Sequence, residues 1–272
     1  MPHHPSSQAI GIFDSGIGGL TVAQALVEQL PNENIIYFGD TAHLPYGDKS
    51  QAAIQAYAIK ITHMLLQQNC KLILIACHTA SATAFELVKE YCGSKAHVVN
   101  VIDPVINQLR ESYTHKRVGL IGTKATVHSN IYKKRVDELN LGIQLSSQAT
   151  PILASAIEEG FHRNTVIDTI VNDYLSRDTL GDIDALILGC THYPVIKKNI
   201  AAFYDHHIDI IDPSQMVATA VKARLEIDNL LNKQQENGYK KFYISDYTTS
   251  FAENTRLFFN EAIQLEHYPL WE

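Results

Sequence analysis

The sequence predicts an α/β protein built on mostly parallel sheets, and three observations point that way. Short runs rich in Ile, Leu and Val recur without alternating polar and apolar residues, which is how strands covered on both faces read. Amphipathic helical patterns lie between these runs. One pattern, an apolar run ending at a cysteine in polar company, occurs twice: "LILIACHTAS" at 72–81 and "ALILGCTHYP" at 185–194.

Taken in order, the first run is "AIGIF" (9–13), which enters the Gly-rich turn of "FDSGIGGLTV" (13–22). Gly16, Gly18 and Gly19 allow a tight turn, and the helix that follows would offer free amides to an anion. A dinucleotide fingerprint needs Gly at position 21; Thr21 stands there and weakens a nicotinamide or flavin reading. Asp14 and Ser15 close the strand, where a carboxylate can orient or deprotonate a neighbour. After "NIIYFGD" (34–40) comes the loop "GDTAHLPYGDKS" (39–50). Its Pro45, Tyr46 and Gly47 are ordinary turn formers; as a pocket wall they would supply a hydroxyl and backbone amides.

From Ser50 to Asn69, the residues Ile54, Tyr57, Ala58, Ile61, Met64 and Leu65 follow the stripe of a helix with one buried face. "KLILIAC" (71–77), "HVVNVID" (97–103) and "RVGLIGT" (117–123) are the next strands. Thr123 and Thr126 then place hydroxyls and amides where a carboxylate could be held. Ser129 is the expected cap of the helix over "SNIYKKRVDEL" (129–139). "AIEEGFH" (156–162) supplies Glu158, a candidate acid among solvated helix-end residues. "DALILGC" (184–190) precedes the helical "PVIKKNIAAFY" (194–204), with Pro194 in a first turn, and "IDIID" (208–212) is the last strand read. Strand then helix, repeated, is the α/β signature. The parallel between Leu72-Ile73-Leu74 before Cys77 and Leu186-Ile187-Leu188 before Cys190 suggests a weak internal duplication. Two such halves facing each other would bring both strand ends into one cleft, and ligands of open α/β sheets gather beyond the carboxyl ends of strands.

Bulk properties narrow the classes. The 272 residues suit one large domain or two smaller ones, at roughly 100–200 residues per domain. Hydrophobic residues make up 46% of the chain, enough for a substantial core. The net charge of -7 is spread among mixed signs with no long basic run, which argues against a nucleic-acid partner. The start of the chain carries no Lys or Arg before its apolar part and does not read as a signal peptide. No apolar run approaches the roughly 20 residues of a membrane span. Cys70, Cys77, Cys92 and Cys190 form no CxxC pair, so free thiols are expected rather than a disulfide framework. The expectation is a cytoplasmic protein with reduced cysteines and no membrane partner.

Most strand cysteines are small core fillers. Two at matching strand ends, each flanked by Thr and His, invite a chemical reading, because hydrogen bonds from such neighbours favour the thiolate. Three chemistries could use them. Cys77, His78, Cys190 and His192 have the right atoms for zinc, although adjacent residues on an extended chain point to opposite sides. One thiol could act as a nucleophile with a histidine base, leaving the second without a role. Or both could move protons, one thiolate taking a proton from a carbon while the opposite thiol returns one to the other face. A thiol, with an unperturbed pKa of about 8.5, serves either purpose near neutrality.

The segments "FDSGIGGLTV", "GDTAHLPYGDKS", "ACHTASA", "VIDPV", "VGLIGTKATVHSNIY", "AIEEG", "LILGCTHYP" and "IDPSQ" together closely resemble the glutamate racemases of the aspartate/glutamate racemase superfamily, in order and over nearly the whole chain. The resemblance implies two similar doubly wound α/β domains with the active site between them, the first discontinuous (1–98 plus 207–272) and the second spanning 99–206. It implies interconversion of L- and D-glutamate without pyridoxal phosphate, metal or other cofactor, supplying D-glutamate for peptidoglycan. By the same resemblance Cys77 takes the α-proton of D-glutamate and Cys190 that of L-glutamate. Asp14 supports Cys77, while Glu158 and His192 support Cys190. Ser15, Pro45, Tyr46, Gly47, Thr79, Thr123, Thr126 and Thr191, with Asp14, His78 and His192, would hold the substrate. Where the family usually carries Asn after the first cysteine, this chain has His78. Neutral His offers one donor and one acceptor and cationic His offers only donors, so the exchange bears on pH dependence and substrate choice. Competing readings are an aspartate or related amino-acid racemase, and a homologue that binds ligand without turnover. Many amino-acid racemases associate, and a homodimer is compatible with the sequence.

Overall fold

The computed structural model describes residues 5–234, 236–247, 255–259 and 263–272. Its strands are β1 (Ile10–Asp14), β2 (Ile35–Gly39), β3 (Leu72–Ile75), β4 (His97–Asn100), β5 (Arg117–Gly122), β6 (Gln144–Ala149), β7 (Ala185–Gly189), β8 (Asp209–Ile211), β9 (Lys240–Ile244) and β10 (Leu265–His267). The helices are α1 (Leu20–Gln29), α2 (Gln51–Gln67), α3 (His78–Cys92), α4 (Asp103–Ser112), α5 (Lys124–His128), α6 (Ile131–Leu139), α7 (Leu153–Glu158), α8 (Val166–Leu175), α9 (Lys197–Phe203) and α10 (Pro213–Ile227).

Two sheets form, in the orders β10-β9-β2-β1-β3-β4 and β6-β5-β7-β8. Their pairings are parallel. Parallel neighbours need crossovers, and helices supply them. Helices on both faces explain the unbroken apolar runs. In β3, Leu72 and Leu74 join one hydrophobic cluster while Ile73 and Ile75 join another, so each face of the strand enters a core. The first cluster also takes in Val118, Leu120, Leu186 and Leu188, so one apolar core runs continuously from the larger sheet to the smaller.

Three strands lay outside the apolar-run reading. β6 ("QLSSQA") and β10 ("LEH") are sheet edges, and β9 ("KKFYI") lies beside an edge. Such strands meet solvent and carry polar residues that hide them in the sequence. Strand pairing bears on where the chain passes from one sheet to the other. A division at 98/99 would cut through β4, which pairs with β3 as far as Asn100, and a division at 206/207 would give the first unit β8, which pairs with β7 of the smaller sheet. The helix expected over 194–204 is a 3-10 turn (Tyr193–Ile196) followed by α9, with Pro194 in the first turn as expected. Among the described residues, no helix is long and apolar enough to cross a membrane.

Candidate functional site

The register places both cysteines equivalently. In the larger sheet Phe13 lies opposite Ile75, and two residues further on stand Ser15 and Cys77. In the smaller sheet Ile121 lies opposite Leu188, and two residues further on stand Thr123 and Cys190. Each sheet thus delivers a hydroxyl and a thiol side by side at the carboxyl ends of two central strands, and the internal duplication seen in sequence is matched in pairing.

The two pairs meet. A narrow cavity of about 420 Å³, counting its mouth, is lined by both Cys77 and Cys190. Ser15, Pro45, Tyr46, Gly47, His78, Thr79, Thr123, Glu158, Thr191 and His192 share its walls. Asp14 and Thr126, also expected here, are not in the lining. Asp14 is fully buried behind Ser15, and Thr126 lies behind the threonines. Leu44, Ala154 and Gly189 line the cavity as well and went unnoticed in the sequence, where no polar atom drew attention to them.

Cys77 stands just past the end of β3 with its backbone still extended, and the chain turns helical at His78. Cys77 caps the N-terminus of α3, accepting the Ala80 amide at 3.4 Å, and its Sγ is 3.7 Å from Ser15 Oγ. His78 is therefore the first residue of a helix, and both side chains reach the same cavity. The objection that neighbours on an extended chain diverge does not apply. Yet among the described residues no group of three or more His, Cys, Asp or Glu is disposed to hold a metal ion. Burial pushes the Cys77 thiol far up, and the nearby carboxyl of Asp14 adds to the shift despite the amide of Ala80 and the hydroxyl of Ser15. Cys77 is accordingly a neutral thiol in this structure.

Cys190 is set differently. Its Sγ is 3.5 Å from His192 Nδ1, and His192 Nε2 is 2.7 Å from Glu158 Oε1. Burial opposes a charge on His192, but Glu158 and Cys190 outweigh it and raise the imidazole well above its ordinary value. A cationic ring donates from both nitrogens, one toward the sulfur and one to the carboxylate. Gly18 makes room for it: a Cβ on Gly18 would collide with the His192 ring, 2.5 Å from Nδ1, and would lie 2.8 Å from Thr191 Oγ1.

The Gly-rich turn departs from the expected anion cradle. The amides of Gly16 (3.3 Å) and Gly19 (2.8 Å) both donate to Asp14 Oδ2, so the acceptor they hold is the chain's own. Asp14 Oδ1 is buried without a hydrogen-bond partner. Burial raises the Asp14 carboxyl, against the pull of His192 and the turn amides. Thr21, where the dinucleotide fingerprint needs Gly, places its hydroxyl 3.0 Å from the Gly18 carbonyl and 3.1 Å from that of Thr191. The residue that breaks the fingerprint ties the first sheet's turn to the second sheet's thiol loop.

Hydroxyls close the remaining wall. Thr79 Oγ1 lies 2.8 Å from Thr123 Oγ1 and 3.2 Å from Thr126 Oγ1, and those two are 3.0 Å apart. Thr123 caps α5 by accepting the Thr126 amide. Ser129, expected to cap the next helix, accepts the Ile131 amide at 3.3 Å from one position before the cap, which is Asn130. Opposite Thr123 sits Gly47, where a Cβ would be 2.8 Å from Thr123 Cβ.

His78 is 2% exposed, and neither ring nitrogen has a partner. Its ring stacks on Tyr132 at 6.4 Å and 16°. Burial drops its pKa to about 3, so the ring is neutral at physiological pH. It thus offers the cavity one donor and one acceptor.

A family model described as Asp/Glu/Hydantoin racemase matches residues 10–221. The glutamate racemase of Chlorobaculum tepidum is 40% identical over 260 residues, 95% of each chain. The crystal structure of glutamate racemase from Francisella tularensis in complex with D-glutamate is similar with a TM-score of 0.91 and 39% identity, covering 98% of this chain and 99% of that one. The Thermus thermophilus glutamate racemase in complex with β-chloro-D-alanine gives a TM-score of 0.85 at 35% identity, covering 97% of both.

Proposed function

This chain belongs to the Asp/Glu/Hydantoin racemase family and is an amino-acid racemase, and we propose that it interconverts L- and D-glutamate by proton transfer between two thiols, supplying D-glutamate for peptidoglycan in the cytoplasm. The observation that carries the mechanism is that Cys77 and Cys190, from equivalent strand ends of two sheets, line one cavity.

The surroundings of the two sulfurs suit proton transfer in the L-to-D direction. Negative charge on Cys190 Sγ has the His192 imidazolium beside it, while Cys77 keeps its proton. The Cys190 thiolate takes the α-proton of L-glutamate and becomes a thiol. The Cys77 S–H gives its proton to the opposite face of the carbanion and becomes a thiolate. That thiolate then has the Ala80 amide, the Ser15 hydroxyl and the positive end of α3 to receive its charge. The D-to-L reaction runs the same steps backward.

Substrate binding falls to the walls. Ser15, Thr79, Thr123 and Thr191 supply hydroxyls, with Thr126 bonded to Thr79 and Thr123 from behind, and the Pro45–Gly47 loop packs the ligand between the sheets. Neutral His78, which lines the cavity, is a donor for a carboxylate, and Asp14 lies behind Ser15, where its carboxyl faces the ligand through that residue. The scheme calls on no metal and no pyridoxal phosphate. It is tested by incubating chelator-treated protein with L-glutamate in deuterated water. Racemisation with deuterium entering Cα is expected; absence of exchange in either enantiomer refutes it.

A further inference from the structure

The loop of residues 40–48 is one of the parts of the first sheet's unit that reach the second. Gly47 packs on Thr123, and Asp48 is 3.4 Å from Lys124 Nζ. What fixes this loop from behind is Asp40, at 0% exposure. Its Oδ2 accepts the Tyr46 hydroxyl at 2.7 Å, and its Oδ1 accepts the Ser245 hydroxyl at 2.8 Å. His43 Nδ1 lies 3.0 Å from both oxygens. The remaining donor comes from the far end of the chain: Trp271 Nε1–H donates to Asp40 Oδ1 at 2.7 Å.

Trp271 is held for this contact on several sides. The His43 ring meets it edge-on at 4.5 Å and the Tyr57 ring at 5.5 Å, and Lys60 Nζ lies 4.7 Å over its ring. Tyr57 in turn lies 5.6 Å from Tyr46. The Tyr268 amide, bonded to the Ile244 carbonyl at 2.9 Å, anchors the tail that carries the indole. A buried carboxylate that accepts several donors fixes each of them, and donation to a charged acceptor is among the stronger neutral-donor contacts.

We infer that Trp271 is a positioning residue for the racemisation: through Asp40 it sets the Tyr46–Gly47 wall against Thr123 and thereby tunes glutamate binding without touching substrate. The inference rests on the racemase reading above. Loosening a wall that contacts ground state and transition state alike raises KM and leaves kcat in place. Coupling is reciprocal, so substrate must also alter the indole's surroundings. The chain contains one tryptophan, so its emission reports this position alone.

Two measurements test it. Trp271→Phe keeps an aromatic ring among His43, Tyr57 and Lys60 and removes the N–H together with the second ring of the indole. It is expected to raise KM for both enantiomers about five-fold, with kcat within about two-fold of the parent. The unaltered enzyme, titrated with racemic glutamate, is expected to show a saturable change in tryptophan emission with a midpoint near KM. An unchanged KM, a loss confined to kcat, or a flat titration each overturns the inference. Should Trp271→Phe not fold, the titration alone decides. Loss of all racemisation by the unaltered enzyme would instead strike at the reading on which the inference rests, so the two failures are told apart.

Discussion

Replacing Gly18 by Ala sets a methyl group against the ring of His192, which is held between Cys190 and Glu158. A displacement on the scale of 1 Å in a catalytic array costs on the order of 100-fold in rate. Gly18→Ala is therefore expected to cut kcat by about that factor and to cost about 1–3 kcal/mol in denaturation free energy, with far-UV circular dichroism close to the parent. Cys77→Ser and Cys190→Ser should each lower racemisation by about 100- to 10,000-fold, the range of a lost general acid or base; full activity in either variant contradicts a two-thiol scheme. His78 offers a test by pH. Its folded pKa of about 3 lies below the unfolded value, so below about pH 6.5 the unfolded chain binds a proton that the folded chain refuses. Stability is thus lost as pH falls from about 6.5 toward 3. Going from pH 7 to 5, the parent should lose about 2 kcal/mol more than His78→Asn, measured as the difference in denaturation free energies.

At the scale of elements, apolar strands were legible, the edges β4 and β8 among them, and polar ones were not, for one physical reason. β1, β3, β5 and β7 are covered on both faces and had to be written in Ile, Leu and Val. β6 and β10 face solvent and were free to carry Gln, Ser, Glu and His. The thiol pair was legible because each cysteine follows a readable strand. The Asp40–Trp271 bond was not, because 231 residues separate its ends and neither lies in a periodic pattern. Thr21 was noticed only as a defect in a fingerprint. Its hydroxyl joins the start of α1 to the loop after β7. Thr21→Val should cost about 1 kcal/mol in urea denaturation, the net worth of one such hydrogen bond, with an unchanged slope.

On the scale of the whole molecule, the two sheets share one apolar core running from Ile10 and Leu74 to Leu120 and Leu186. Neither sheet can melt without exposing surface that the other covers. Trp271 emission, which reports the C-terminal tail beside the larger sheet, and far-UV circular dichroism, which reports both, should give coincident denaturant transitions. Separated midpoints would show that the sheets unfold independently. Lys71 adds to the integration on the side away from the cavity, bonding the carbonyls of Ser6 and Leu230 and the carboxylate of Glu33.

The turn after β1 has the outline of a phosphate cradle, but its seat is taken from birth. The two amides that a nucleotide would need already point at Asp14, and an arriving phosphate would meet carboxyl oxygens where a true cradle presents bare N–H groups. Grafting nucleotide affinity onto this scaffold by restoring the missing glycine at position 21 would therefore fail unless Asp14 were evicted too. Evicting it would strip the carboxyl from beside one of the two sulfurs.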